Sequence, residues 1–392
     1  MPTSARSQET PAARAASIHR SVLTIDTHSD TPLNLTQEGF DLAKWNDQAT
    51  TGTKVDFPRM KAGGLDAQFF AVFVAQGPRD SEGDAKAKKK ALDILAAIRK
   101  SVAENQNVAE IALTPDDGYR LKKEGKRAVY LGLENGYALA NDLTMVKKYY
   151  DMGIRYITLC HTSNNDLCDS STDKKKGLEH HGLSPFGKAV VAEMNRVGMM
   201  VDVSHSSDDT FMDVIRLSKA PIIASHSCAR AMCDNPRNLT DEDLRALAKN
   251  GGVIQMCFLS EYVKKTDPNP KRDSALAVVR QKYNDFLDLS DDKLKEARKE
   301  YREASRKYPN KLATVQDMVD HIDHIVKVIG IDYVGIGTDF DGGGDLSGCR
   351  DVSQMENVTL ELVKRGYSEE AIRKIWGGNF MRVFREVQRL AR

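Results

Sequence analysis

Four of the nine histidines in this 392-residue chain stand at or just beyond the ends of short apolar runs: His28, His161, His205 and His226. The first run ends Asp26-Thr27-His28-Ser29-Asp30, the third ends Gly132-Leu133-Glu134-Asn135, and the fourth leads into His161. The fifth ends Asp202-Val203-Ser204-His205 and the sixth Ser225-His226-Ser227, and the eighth runs into Thr338-Asp339-Phe340-Asp341. Imidazoles and carboxylates without thiolate suit a catalytic zinc-type centre, where protein ligands leave room for water or substrate. His28 and Asp30 are two apart, so extended backbone would project both to one side. His205 and His226 supply a second pair. Glu134 has two oxygens and can bridge two cations. A single histidine after a strand is usually structural; four in equivalent places point to a shared site.

Something must bring those ends together. The runs span 22–27, 67–74, 128–133, 156–160, 199–203, 221–224, 252–258 and 333–337, each brief and nearly continuously apolar, as in parallel strands covered on both faces. Eight of them alternating with helical stretches predict an α/β fold, a closed (β/α)8 TIM-type barrel, whose active site belongs at the C-terminal ends of the strands. The glycine fingerprint of a dinucleotide-binding sheet is absent after the first run. Helices are predicted over 85–101 and over 314–330, the second with Val315, Met318, Val319, Ile322 and Ile325 in one stripe and Thr314 as its cap. The strongly charged segment 261–311 follows the seventh run. It reads as a solvated helical insertion, with a lid or a subunit contact as the alternative. Residues 1–21 read as an N-terminal segment and 22–392 as one barrel domain containing the insertion.

Composition narrows the function classes. Lys and Arg total 57 against 56 Asp and Glu, so a net charge of +1 gives no reason to expect nucleic acid as a partner. No stretch has the roughly 20 apolar residues of a membrane span. The six cysteines form no CxxC pair, and most sit in apolar runs as buried small side chains. His321 and His324 fall on the 314–330 helix, and His180 and His181 in a polar loop after the basic run 174–176. His19 belongs to the N-terminal segment. All five are read as structural.

The motifs DTHSD, GLENG, DVSH, SHSCARAMCDNPRNL, DHIDHIVKVIGIDYVGIGTDFDG and WGGNFMRVF together resemble the membrane (renal) dipeptidase family of zinc peptidases, over most of the chain from Val22 onward. The resemblance implies a zinc metallopeptidase, a hydrolase that cleaves dipeptides and holds two Zn²⁺ per chain. His28, Asp30 and Glu134 would bind one ion, and Glu134, His205 and His226 the other. His161 would contact substrate, Asp339 would handle protons, and Arg237 would bind the substrate's terminal carboxylate, with an L or D residue at that end. Arg230 is the rival carboxylate binder. A bridging zinc-bound hydroxide is the expected nucleophile. A homodimer is expected, and the compartment is left open between the cytoplasm and, if a leader has been removed, the periplasm. No hydrophobic anchor signal follows VFREVQRLAR, so a soluble, bacterial-type member is expected. The insertion exceeds that of the mammalian relatives, and their pocket residues there do not carry over. Three alternatives stand beside this reading. They are an amidohydrolase acting on a cyclic amide or β-lactam, a deaminase (which would favour HxH where His28-x-Asp30 stands), and an inactive binding protein, which would have lost a ligand.

Overall fold

The computed structural model describes residues 10–35, 39–173, 176–286 and 289–392. Eight parallel strands are hydrogen-bonded in sequence around a barrel: β1 (Ile25–Ser29), β2 (Ala67–Phe73), β4 (Arg127–Glu134), β5 (Ile154–Thr158), β6 (Met200–Asp202), β7 (Ile223–Ser227), β8 (Val253–Met256) and β9 (Val334–Ile336). A further short strand, β3 (Ala109–Ile111), pairs with β4 off this path and is not singled out by the sequence pattern. The ring is joined between β9 and β1 by a parallel bridge from Ser29 to Phe340. There the Asp30 amide donates to Phe340 O at 2.9 Å, and the Asp339 amide donates to His28 O at 3.1 Å. Joining the barrel and placing His28, Asp30 and Asp339 side by side are therefore one event.

Two separate cores follow from strands with two covered faces. Inside the barrel, Ile25, Phe69, Tyr130, Tyr156, Met200, Ile223 and Val253 pack together with Phe380 and Phe384 of the C-terminal helix Asn379–Arg389. Phe69 stacks on Tyr130 at 4.9 Å and Tyr156 at 5.3 Å, and meets the Phe380 edge at 5.2 Å. The WGGNFMRVF motif is thus partly a plug. It leaves the opposite end of the barrel to polar residues. The outer core lies between strands and helices, with Val72, Leu131 and Ile157 facing Ile94, Ile98, Val190 and Ile322.

The predicted helices are longer or shorter than the pattern by a few residues. The first covers Ser81–Ala103, capped by Asp80, and the other Val315–Ile329, where Thr314 and Asp317 form a capping box. The charged insertion follows the seventh barrel strand, β8, and folds back on itself as the helices Pro270–Lys282 and Asp291–Lys307 around a small cluster of Val279, Tyr283 and Ala297. Its Arg306 donates to Gln48 O at 2.7 Å, so the hairpin reaches the short helix Gln48–Thr51 in the connection between β1 and β2. The described part of the N-terminal segment is a helix, Pro11–Ser21, docked on the helix Glu356–Lys364. Its His19 is hydrogen-bonded to Thr359 Oγ1 at 2.7 Å and Gly63 O at 2.8 Å. Residues 1–9 of that segment, and Lys174 and Lys175 of the basic run, lie outside the described residues. All six cysteines are buried free thiols. Among the described residues no helix is long and apolar enough to cross a membrane.

Candidate metal centre

Glu134 is the last residue of β4 and is 2% exposed. Its two oxygens face different partners. Oε2 lies 3.3 Å from His28 Nε2, while Oε1 lies 3.3 Å from His205 Nε2 and 3.7 Å from His226 Nε2. On the His28 side, Asp30 Oδ2 approaches the same Nε2 at 3.8 Å. On the other side, the His205 and His226 Nε2 atoms are 2.9 Å apart. His161 Nε2 stands 4.0 Å from Glu134 Oε1, with its ring against Phe73 at 4.8 Å and His205 at 4.3 Å. Three groups have ligand atoms close enough to share a cation: His28 with Glu134 and His226, Glu134 with His161 and His205, and His28 with Asp30 and Asp339.

The sequence argument for the His28–Asp30 pair needs correction. The two do not meet by strand alternation, because β1 ends at Ser29 and Asp30 has φ −87° and ψ 15°. A turn after the strand, held by the closing bond to Phe340 O, swings the carboxylate back. Similar local bends recur at the rim. His205, Asp339 and Asp341 all have φ between 59° and 71°, a region disfavoured for residues with a Cβ. At Asp339 the bend is fixed by three amides, Gly342, Gly343 and Gly344, which donate to its carbonyl. A Cβ on Gly342 would collide with the carboxylates of Asp30 and Asp339, so this glycine lets the two acids approach.

The electrostatics fit a cation. Burial opposes a charge on Glu134, but His28, His205 and His161 around it prevail and hold its carboxyl well below the usual range. Burial, then neighbouring positive groups, push His205 and His226 well below the usual imidazole value, so both present neutral nitrogens. Burial, reinforced by the Asp30 and Glu134 charges, pushes Asp339 up to about 8. His28 Nε2 and Asp30 Oδ1 are buried with no hydrogen-bond partner. Unpartnered polar atoms on converging side chains would be costly in a finished core. They are what a ligand set for divalent metal requires.

These positions can be weighed against known proteins. The model of the membrane dipeptidase family, peptidase family M19, matches residues 12–392. The chain belongs to this family. It is 32% identical to dipeptidase 3 of Rattus norvegicus over 386 residues, 96% of this chain and 67% of the rat protein. It is 33% identical to dipeptidase tcpJ of Claviceps purpurea over 346 residues, 86% of this chain and 70% of that one. The probable dipeptidase PvdM from Pseudomonas aeruginosa superposes with a TM-score of 0.83 at 31% identity, covering 97% of this chain and 99% of the other. The protein is accordingly a hydrolase, a metallopeptidase, on an α/β barrel.

The remaining predicted residues also have places. Arg237 is 3% exposed, with Nη2 donating to His226 O at 3.2 Å, Nε unpartnered, and the guanidinium 5.3 Å from the Tyr262 ring. Arg230 is already committed. It makes a two-pronged bridge to Asp208 at 2.7 and 2.6 Å and donates to Asn238 O. Sequence reasoning missed Tyr156 behind His28, Asp202 and Ser225 behind His226, Phe73 beside His161, and Tyr262 under Arg237. A polar residue inside an otherwise apolar run was the available signal for Asp202, and one directly after such a run the signal for Ser225. Phe73, Tyr156 and Tyr262 carried no signal, since aromatic side chains near strands usually mean core.

His321 is structural, as read, and it braces the site. Its Nδ1 accepts from the Ala229 amide at 3.1 Å, and its Nε2 donates to Val263 O at 2.8 Å, tying the loop after β7 to the start of the insertion. Burial pushes its pKa below 6.5. The unfolded chain therefore takes up the proton first on acidification. The stability His321 contributes is complete above 6.5 and is lost as pH falls from there towards the lower folded value. His321→Gln should melt below the native protein at about pH 7, with the gap narrowing towards about pH 5; a gap constant with pH would show that the ring is not held neutral.

Proposed function

We propose that this metallopeptidase hydrolyses dipeptides bearing a free C-terminal carboxylate at a binuclear zinc centre bridged by Glu134. The observation that carries the reading is the division of Glu134. One oxygen turns to His28 and the other to His205 and His226. His28, Asp30 and Glu134 would hold one ion, and Glu134, His205 and His226 the second. A pair of divalent ions there would polarise the scissile carbonyl and bring a water's pKa towards ~7.

The chain's own residues supply the rest. Asp339 sits beside Asp30 and His28, and an acid pushed up to about 8 can hold a proton near neutrality and release it as positive charge arrives. It is the candidate to take the proton from the attacking water and give it to the leaving amine. His161, half-buried next to Glu134, would offer a hydrogen bond to the developing oxyanion, worth about 2.7–4 kcal/mol. Arg237 keeps donors of its planar fork free close to His226, and Tyr262 supports it from one side. A carboxylate accepts from such a fork at two points, whereas an amide carbonyl cannot. With the carboxylate as anchor, the stereocentre beside it is weakly constrained, so an L or D residue fits at that position. Arg230, neutralised by Asp208, is the poorer anchor.

Two variants test these roles. Asp339→Asn should retain bound metal while kcat falls by about 10²–10⁴, measured by elemental analysis and steady-state kinetics together. Loss of metal with activity would make Asp339 a ligand instead. Amidating the C-terminus of a good dipeptide should lower kcat/KM by about 10–100-fold in the native enzyme, given that a charge-assisted bond is worth roughly 1.5–3 kcal/mol. In Arg237→Ala most of that discrimination should vanish. An unchanged acid-to-amide preference would place the carboxylate anchor elsewhere, and no hydrolysis of any free dipeptide would remove the dipeptidase reading.

A further inference from the structure

A histidine can offer a metal only the nitrogen that carries no proton, and the partner of its other nitrogen decides which one that is. At His226 the decision can be followed atom by atom. Asp202, fully buried at the end of β6, accepts four hydrogen bonds. Its Oδ1 takes the Ser204 amide at 3.1 Å and the Ser225 amide at 2.8 Å. Its Oδ2 takes the Thr158 hydroxyl at 2.6 Å and the Ser225 hydroxyl at 2.6 Å. Ser225 has one hydroxyl proton, and it is given to Asp202. The contact of 2.9 Å between Ser225 Oγ and His226 Nδ1 can then be filled only by a proton on Nδ1. That leaves the Nε2 lone pair of His226 directed at His205 Nε2 and Glu134.

We propose that Asp202 is a positioning residue which, acting through Ser225, locks His226 in the tautomer that can bind metal. His28 is set by different means. The Tyr156 hydroxyl donates to Thr27 O at 3.2 Å and accepts from His28 Nδ1 at 2.9 Å. Its ring reaches that point because Gly132, its register partner on β4, has no Cβ to block it. The two ligand sets around Glu134 are therefore braced independently, one by a carboxylate and one by a phenol. This inference rests on the metal-centre reading above.

Asp202→Asn is a sharp test because the new amide has one orientation. Its oxygen must stay at the Oδ1 position, where two backbone amides donate, so its NH₂ group faces Ser225 Oγ and Thr158 Oγ1. Ser225 then accepts from the amide and gives its own proton to His226 Nδ1, and the His226 proton moves to Nε2. In ¹⁵N-imidazole NMR spectra of chelator-treated protein, His226 should be Nδ1-protonated in the native chain and Nε2-protonated in Asp202→Asn. Zinc competition with a chelator should show one of two ions weakened about 10–100-fold in the variant and the other little changed. Ser225→Ala, which leaves the two backbone bonds of Asp202 in place, should weaken the same ion if Asp202→Asn folds poorly. An unchanged His226 tautomer in Asp202→Asn, or equal weakening of both ions in the variants, would overturn the proposal. A native chain that binds no zinc would instead defeat the metal-centre reading, while the tautomer measurement would still decide the role of Asp202.

Discussion

A carboxylate buried among imidazoles sets the terms for the whole upper half of this barrel. Glu134 is almost inaccessible, yet four histidines surround it, and three of them, His28, His205 and His161, hold it ionised. A charge taken out of water needs partners that stay fixed. Each partner comes from a different strand: His28 from β1, His161 from the end of β5, His205 after β6 and His226 from β7. A ring of parallel strands brings four such ends to within 4.0 Å of one residue. The aromatic plug at the opposite end lets the ring carry so polar a rim.

The bonds that shape the rim also shape the ligands. The bridge between β9 and β1 uses the backbone of His28, Asp30, Asp339 and Phe340. Asp202 joins β5, β6 and β7 through Thr158, Ser204 and Ser225, and the same Ser225 touches His226. Asp26 plays a matching part by accepting from the Thr338 amide and hydroxyl and from the His28 amide. Buried acids in this protein are therefore strand connectors as well as supports for the site.

Much of this was legible in the sequence, for physical reasons that also explain what was not. Continuous apolar runs mark strands with two covered faces, so the barrel could be read directly, and residues of one chemical kind at successive strand ends mark the rim. The ends of the runs were less accurate. The first was placed at 22–27 but the strand is Ile25–Ser29, and the sixth at 221–224 but the strand is Ile223–Ser227. In both cases the apolar run stops short of the strand, which continues through the histidine, because a polar side chain is at home where the barrel interior turns into a site. Asp30 was paired with His28 for the wrong geometric reason, since a turn cannot be seen in a two-residue spacing. Tyr156 was hidden as a core aromatic, and Tyr262 lay at the edge of an insertion whose pairing with Arg237 depends on contacts far apart in sequence.

The central claim is that the two oxygens of Glu134 serve two cations at once. Elemental analysis of protein purified without chelator and then equilibrated with zinc measures this directly. The account predicts a limit near two ions per chain for the native protein, and a marked loss of that second equivalent in Glu134→Gln, whose amide can offer one oxygen only. A native protein that saturates at a single ion, or a Glu134→Gln variant that still holds two with native affinity, would contradict it.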